Sequence, residues 1–356
     1  MPVPVTEELL HNLALRFASH SKEIYGAPNA NSSPLYAYLA GRIVDDPEIL
    51  ALVAQADLST QVTNLLFGAV HFLLLEGTKH PLVDFYPDLT QSPRPIADSY
   101  PDFRAFCLEY APAIEKLVTL KRVQTNEVTR CSALLPAFNL IYQRANSKPL
   151  AIVEIGASAG IHLIWDQFHY DYGTIGQVGN DQALVKIKTE IRGQFRPPIP
   201  LLLSQVSYRI GAEIYPIDPN DDEATRWLKA LIWPEHHDRR AQLDAALEQL
   251  RLHPVEIIEG NAAETLPSIL DNVPDDLTLC VFHSYTMVQM PKAIREQILD
   301  YLRIFSEQRG FYRISQEWFS HQQHPQIELT TYQRGQAQTE LLAYAESHGR
   351  WLEWLV

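Results

Sequence analysis

The chain has 356 residues, 46% hydrophobic and 20% charged, which is enough for a sizeable core in one large or two ordinary domains. Its formal net charge of −14 speaks against a nucleic-acid phosphate backbone or an anionic membrane as the main partner. Cys107, Cys131 and Cys280 are far apart and form no CxxC pair, so they read as reduced, buried thiols. No basic stretch followed by an apolar core opens the chain, so no signal peptide is read and a cytoplasmic protein is expected. The longest apolar run, Leu65 to Leu75, is too short to span a bilayer and contains His71.

Residues 1–146 read as mostly helical. Val5 to Phe17 has helical spacing, Ser33-Pro34 opens a short helix to Val44, and Asp46-Pro47 caps the next. Gln61 to Glu76 reads as a strongly apolar helix, with His71 a satisfied core histidine. A proline-rich crossover, His80 to Pro101, precedes a helix over Asp102 to Lys121. Next comes Lys121 to Arg130, dense in side chains that bind polar ligands. Its Thr125 or Asn126 also suits a helix N-cap, and both readings stay open.

Leu150 to Ile155 reads as a buried parallel strand, interrupted by Glu154. Gly156-Ala157-Ser158-Ala159-Gly160 then removes side-chain bulk, and a helix is expected to run on to about Phe168. A dinucleotide fingerprint needs Gly at three positions that here hold Gly156, Ser158 and Ile161, so two fail. An acid followed by alternating small residues fits better: Glu154, Gly156, Ser158 and Gly160. This stretch resembles motif I of class I S-adenosylmethionine-dependent methyltransferases, in which the acid suits the ammonium of the donor's amino-acid end.

Tyr170 and Tyr172 are candidate pocket walls. Val185, Ile187, Thr189 and Ile191 alternate with polar residues, which predicts an inserted β-arm over about 170–204. Val206 to Ile210 follows as the second core strand. Glu213, just beyond it, is the candidate ribose acid, with Asp218 second, while Asp221 and Asp222 suit a helix cap. His236-His237 diverge on a helix and read as surface residues. Val255 to Glu259 is strand three. In the Gly260-Asn261 turn after it, Asn261 stands where methyltransferases place an adenine-binding Asp.

Leu277 to Phe282 is strand four, with His283-Ser284-Tyr285-Thr286 at its carboxyl end, where open α/β sheets bind ligands. His283 is a candidate general base or a polar lining residue. Pro291 to Gln308 reads as an amphipathic helix and Phe311 to Ile314 as strand five. Three closing strands cover Gln326 to Gln333, Glu340 to Ala345 and Arg350 to Leu355. His321 and His324 lack companion ligands, so no metal site is expected.

The chain is similar from end to end to a bacterial family known as domain of unknown function 2332. The resemblance rests on Ser33-Pro34-Leu35-Tyr36, Arg122 to Glu127, Glu154 to Gly160, Trp227 to Glu235, Val281 to Ser284 and Gly349 to Leu355. Most of that family has Leu-Asn after the last Gly of the turn, where this chain has Ile161-His162. The family implies a Rossmann-like, methyltransferase-like α/β fold.

The expectation is therefore a helical cap region over 1–146, a Rossmann-like domain over 147–356, and a pocket between them. The bound group would be S-adenosylmethionine and the acceptor a small polar molecule. Glu154, Gly156, Ser158, Gly160, Glu213 and Asn261 would hold the donor, and Asn126, Glu127, Arg130 and His283 would face the acceptor. Two alternatives remain: an NAD(P)-dependent oxidoreductase, and a nucleotide- or nucleoside-binding protein without catalysis.

Overall fold

The structure is a computed structural model that describes residues 4–27, 32–58, 61–320 and 322–356. The chain forms two compact units, residues 1–125 with 221–241, and residues 126–220 with 242–356.

The first unit is helical. Its elements are α1 (Glu7–Ser19), α2 (Pro34–Ile43), α3 (Pro47–Leu52), α4 (Val62–Leu75), α5 (Ser99–Glu109) and α6 (Ala111–Leu120), later joined by α8 (Asp222–Ala230). The starts follow local chemistry. Ser33 and Asp46 accept the backbone N–H groups of Tyr36 and Ile49, each followed by Pro at the first helical position. Asp221 caps α8 through Glu223 and Ala224. The continuous helix expected over Asp102 to Lys121 is two helices, with Tyr110 between them outside helical geometry. α4 is buried from Val62 through Leu74 except at Asn64 and forms the middle of the core. There Phe67 stacks on Tyr36 at 4.3 Å, and Gly68 lets α4 approach Leu231 and Trp227. His71 is a core residue: its Nδ1 meets the Ala230 carbonyl at 3.1 Å and its Nε2 meets Asp88 at 2.9 Å. His236, expected at the surface, is buried with Nε2 on the Ser32 carbonyl at 3.0 Å, whereas His237 is exposed.

The second unit is α/β. α7 (Cys131–Arg144) leads into β1 (Leu150–Ile155), followed by β2 (His169–Asp171), β3 (Gln177–Gly179), β4 (Lys186–Lys188), β5 (Glu190–Arg192) and β6 (Val206–Glu213). After α9 (His237–Leu252) come β7 (Glu256–Glu259), α10 (Ala262–Asp271), β8 (Thr278–Ser284), α11 (Lys292–Phe305) and β9 (Phe311–Glu317). β10 (Gln326–Gln333), β11 (Gln336–Ala345) and β12 (Trp351–Trp354) close the chain. The main sheet has nine strands in the order β5-β12-β11-β10-β9-β8-β1-β6-β7.

The pairs β7/β6, β6/β1, β1/β8, β8/β9 and β12/β5 are parallel. The pairs β9/β10, β10/β11 and β11/β12 are antiparallel. The expected α/β class is thus found as a mixed sheet, with antiparallel pairing far more extensive than in a mostly parallel Rossmann-like sheet. One face buries Val153, Ile155, Val281, Leu266, Ile298 and Leu302 in a single apolar cluster. On the other, Phe138 of α7 stacks on Trp165 at 4.8 Å and meets Phe282 edge-on at 5.2 Å.

The α-helix expected after Gly160 is absent. Ile161–Gln167 forms 3₁₀ turns broken at Ile164 (φ −109°, ψ 24°). The reason is Arg209 on β6. Its guanidinium takes the Leu163 carbonyl at 2.8 Å, the acceptor a continuing helix would use, and also grips Asp166 at 2.7 Å. The chain then turns extended at Phe168 and enters β2. Between β1 and β6 the alternation read from the sequence holds: Val185, Ile187 and Thr189 are buried and Lys186, Lys188 and Glu190 exposed. β2, β3 and β4 form a three-stranded sheet, while β5 pairs with β12 of the main sheet. Tyr170 and Tyr172 are fully enclosed, stacked on each other at 6.2 Å. No helix among the described residues is long and apolar enough to cross a membrane.

Candidate functional site

Chain order reverses at β1. From it the strands run out to β6 and β7 on one side and to β8 and β9 on the other, and in open α/β sheets such a reversal marks the ligand crevice at the carboxyl ends. The Gly156–Gly160 turn lies there. Gly156, Ser158 and Gly160 all have positive φ (76°, 52° and 86°), a conformation that costs a residue with a Cβ and leaves Ser158 strained.

Every N–H of the turn has an acceptor within the protein. Gly156 and Ala157 donate to the Ala212 carbonyl, at 2.8 and 3.3 Å, and Gly160 donates to Ala157. Ser158 donates to Glu213 Oε2 at 2.9 Å, and Ala159 to Asn126 Oδ1 at 3.3 Å. The glycines are required by close packing as well as by φ. A Cβ on Gly156 would overlap the Thr286 side chain, and one on Gly160 would run into Val255.

Around this turn the structure brings together most of the residues singled out from the sequence. Asn126 caps no helix. Its amide donates to Ser158 Oγ at 2.8 Å while its carbonyl holds Ala159, so it clasps the turn from the loop before α7. Glu213, partly exposed at the carboxyl end of β6, accepts from Ser158 and from Tyr215 N at 3.0 Å. Each carboxylate oxygen retains acceptor capacity beyond that bond.

Glu154 is 1% exposed and bonds His162 Nδ1 at 2.9 Å; His162 Nε2 bonds the Glu127 backbone carbonyl at 3.1 Å. A carbonyl only accepts, so Nε2 carries a proton. Nδ1 then either donates to an ionised Glu154 or accepts from a protonated one. Burial pushes the Glu154 carboxyl up and the His162 contact opposes that. Glu154 Oε2 is buried with no hydrogen-bond partner.

Glu127 and Arg130 are buried beside the turn before β12. The Glu127 carboxylate accepts from Thr129 Oγ1 at 2.6 Å, and Thr129 Oγ1 also meets the His348 carbonyl. Arg130 donates through Nε to the Ser347 carbonyl at 3.0 Å and lies 3.9 Å over the Tyr285 ring. Gly349 permits this closeness, because a Cβ there would strike the Thr129 backbone.

His283 is enclosed on β8, 1% exposed, with Nδ1 on Glu317 at 2.6 Å and Nε2 buried without a partner. Burial lowers the imidazole below its ordinary value despite Glu317. Burial alone would raise Glu317, but the His283 bond and the backbone N–H groups of Met287 and Val288 outweigh it and hold the carboxyl low. Asn261 is otherwise engaged: it caps α10, its Oδ1 accepting from Ala263 N at 3.1 Å. Asp218 turns back on Asn220 N at 2.8 Å. His321 lies outside the described residues, and the His324 ring rests on Trp351 and Tyr344.

Sequence reasoning placed Thr286 on the edge after strand four and Glu317 just past strand five but gave neither a role. Glu317, 2% exposed, accepts from Thr286, Met287 and Val288 N at 3.0–3.1 Å as well as from His283. An acid ending the fifth strand was its only local sign; the bonds it makes are more than 25 residues away in sequence.

No curated protein matches the chain. A family model matches residues 24–354 and is described as an uncharacterized protein conserved in bacteria. The chain therefore belongs to the bacterial family DUF2332.

Proposed function

We propose that the carboxyl edge of β1, β6 and β8 binds S-adenosylmethionine, and that the protein transfers its methyl group to a small polar molecule. Glu213 carries this reading. Its carboxylate ends β6 next to the reversal at β1, ties itself to the glycine turn through Ser158, and keeps acceptor capacity on a partly exposed side chain. A ribose diol asks for that: two hydroxyls donating to one carboxylate.

The turn favours this donor over a dinucleotide. A pyrophosphate needs free backbone N–H groups and a helix N-terminus. Here all five N–H groups are occupied, and 3₁₀ turns replace the helix. A sulfonium nucleoside brings no phosphate. In this reading Gly156, Ser158 and Gly160 shape the wall of the donor site. Asn261 offers adenine its side-chain NH₂, since its carbonyl caps α10. Glu154 supports the turn through His162. Asn126, Glu127 and Arg130 line the acceptor side, and His283 holds Glu317. Methyl transfer is an in-line displacement, so alignment supplies most of the catalysis.

One observation favours a second reading, a binding protein that keeps the fold without catalysis: the Thr286 side chain fills the space over Gly156. The test of the first reading is calorimetry with S-adenosylmethionine on the native protein and on Glu213→Gln. A loss of about 10- to 100-fold in affinity in a folded variant is expected from removing a charge-assisted bidentate contact. Equal affinity removes Glu213 from the site.

A further inference from the structure

The residue closest to the organising glycine of the turn belongs to neither the turn nor its expected ligands. A Cβ built on Gly156 would meet Cγ2, Oγ1 and Cβ of Thr286 before any other side chain. Thr286 is not free to drift. Its backbone N–H is held by Glu317 Oε1 at 3.1 Å, and its hydroxyl donates to the Ser284 carbonyl at 3.3 Å. The next two N–H groups, of Met287 and Val288, are held by the same carboxylate, at 3.0 and 3.1 Å. The residue before it, Tyr285, has φ +54° and is fixed from both sides, its N–H on the Gln316 carbonyl at 2.8 Å and its ring under Arg130. A non-glycine residue in that region is strained and persists only where its surroundings over-determine it.

We propose that Thr286 is the specificity-determining residue of the turn: a side chain clamped over Gly156 that a ligand of the turn must turn aside. Glu317 is the positioning residue that sets the clamp. The inference rests on the donor reading above and adds what governs access to it. Thr286 holds the wall by its bulk over Gly156, while its hydroxyl bonds the Ser284 carbonyl. Ligands that reach the β1 edge without crowding Gly156 are admitted, and those that need the glycine backbone itself must first rotate Thr286.

The test compares native protein, Thr286→Ala and Thr286→Val by calorimetric titration with S-adenosylmethionine and S-adenosylhomocysteine, with thermal unfolding as the folding control. Alanine removes the bulk, whereas valine keeps the shape and loses only the hydroxyl. The expected result is about fivefold tighter binding to Thr286→Ala, the scale of one relieved rotamer strain, with Thr286→Val within about twofold of native. Binding by Thr286→Ala where the native protein is silent means that Thr286 closes the site outright, which supports its role and overturns the donor reading for the native protein. Native and Thr286→Ala proteins binding with equal affinity overturns the role of Thr286 and leaves the donor reading intact. Silence of all three folded proteins overturns both.

Discussion

Glu317 shows how one buried charge organises the connection between β8 and the short 3₁₀ turn that follows it. It is the common acceptor for His283 and for the three N–H groups that open the Met287–Gln289 turn. Removing its charge leaves these donors poorly matched, so Glu317→Gln is expected to cost about 2–4 kcal/mol of stability, measured by denaturant unfolding. The pH dependence follows from the two shifts. His283 is held below its ordinary value and Glu317 below its own, so in each case the unfolded chain takes the proton more readily. Their contribution is complete above the ordinary histidine value of about 6.5. It falls away as pH drops, first toward the lowered His283 value and then through the lowered Glu317 value. Glu317→Gln should flatten the lower part of that profile. A variant as acid-sensitive as the native protein would show that other groups set it.

At the scale of elements, the glycine turn was legible in the sequence as a strand, a small-residue turn and an acid, and β1 and the turn stand where they were read. The helix after it was not legible. Nothing between Ile161 and Phe168 announces that Arg209, more than forty residues later, takes the Leu163 carbonyl and Asp166. The same limit hid the contact of Thr286 with Gly156, which exists only once β1 and β8 lie side by side. That contact has a test that needs no ligand. Gly156→Ala combines a positive φ with overlap of Thr286, and should cost about 2–4 kcal/mol. Thr286→Ala in the same chain should recover part of that loss, so the double-mutant cycle is expected to show coupling of about 1 kcal/mol or more. Strict additivity would mean that the two side chains do not meet.

For the whole molecule, periodicity and caps made the helical region, the parallel strands and the three closing strands readable, because each depends on neighbours within a few residues. The division of the chain was less so. Residues 221–241 belong with the helical unit. There Trp227 donates to the Arg122 carbonyl at 2.8 Å and its ring approaches Phe72 at 6.1 Å, contacts more than a hundred residues apart in sequence. The mixed character of the sheet also depends on which strands pair, and the sequence of any one strand does not record its partners.

The proposed function joins these scales in one requirement: the β1 edge must accept a sulfonium nucleoside and refuse a dinucleotide. The most direct measurement is calorimetric titration of the native protein with S-adenosylmethionine, S-adenosylhomocysteine and NAD in parallel. Micromolar binding of the first two with no heat from NAD is the expected result. Binding of NAD alone, or silence from both sulfur nucleosides with the protein folded, would contradict it.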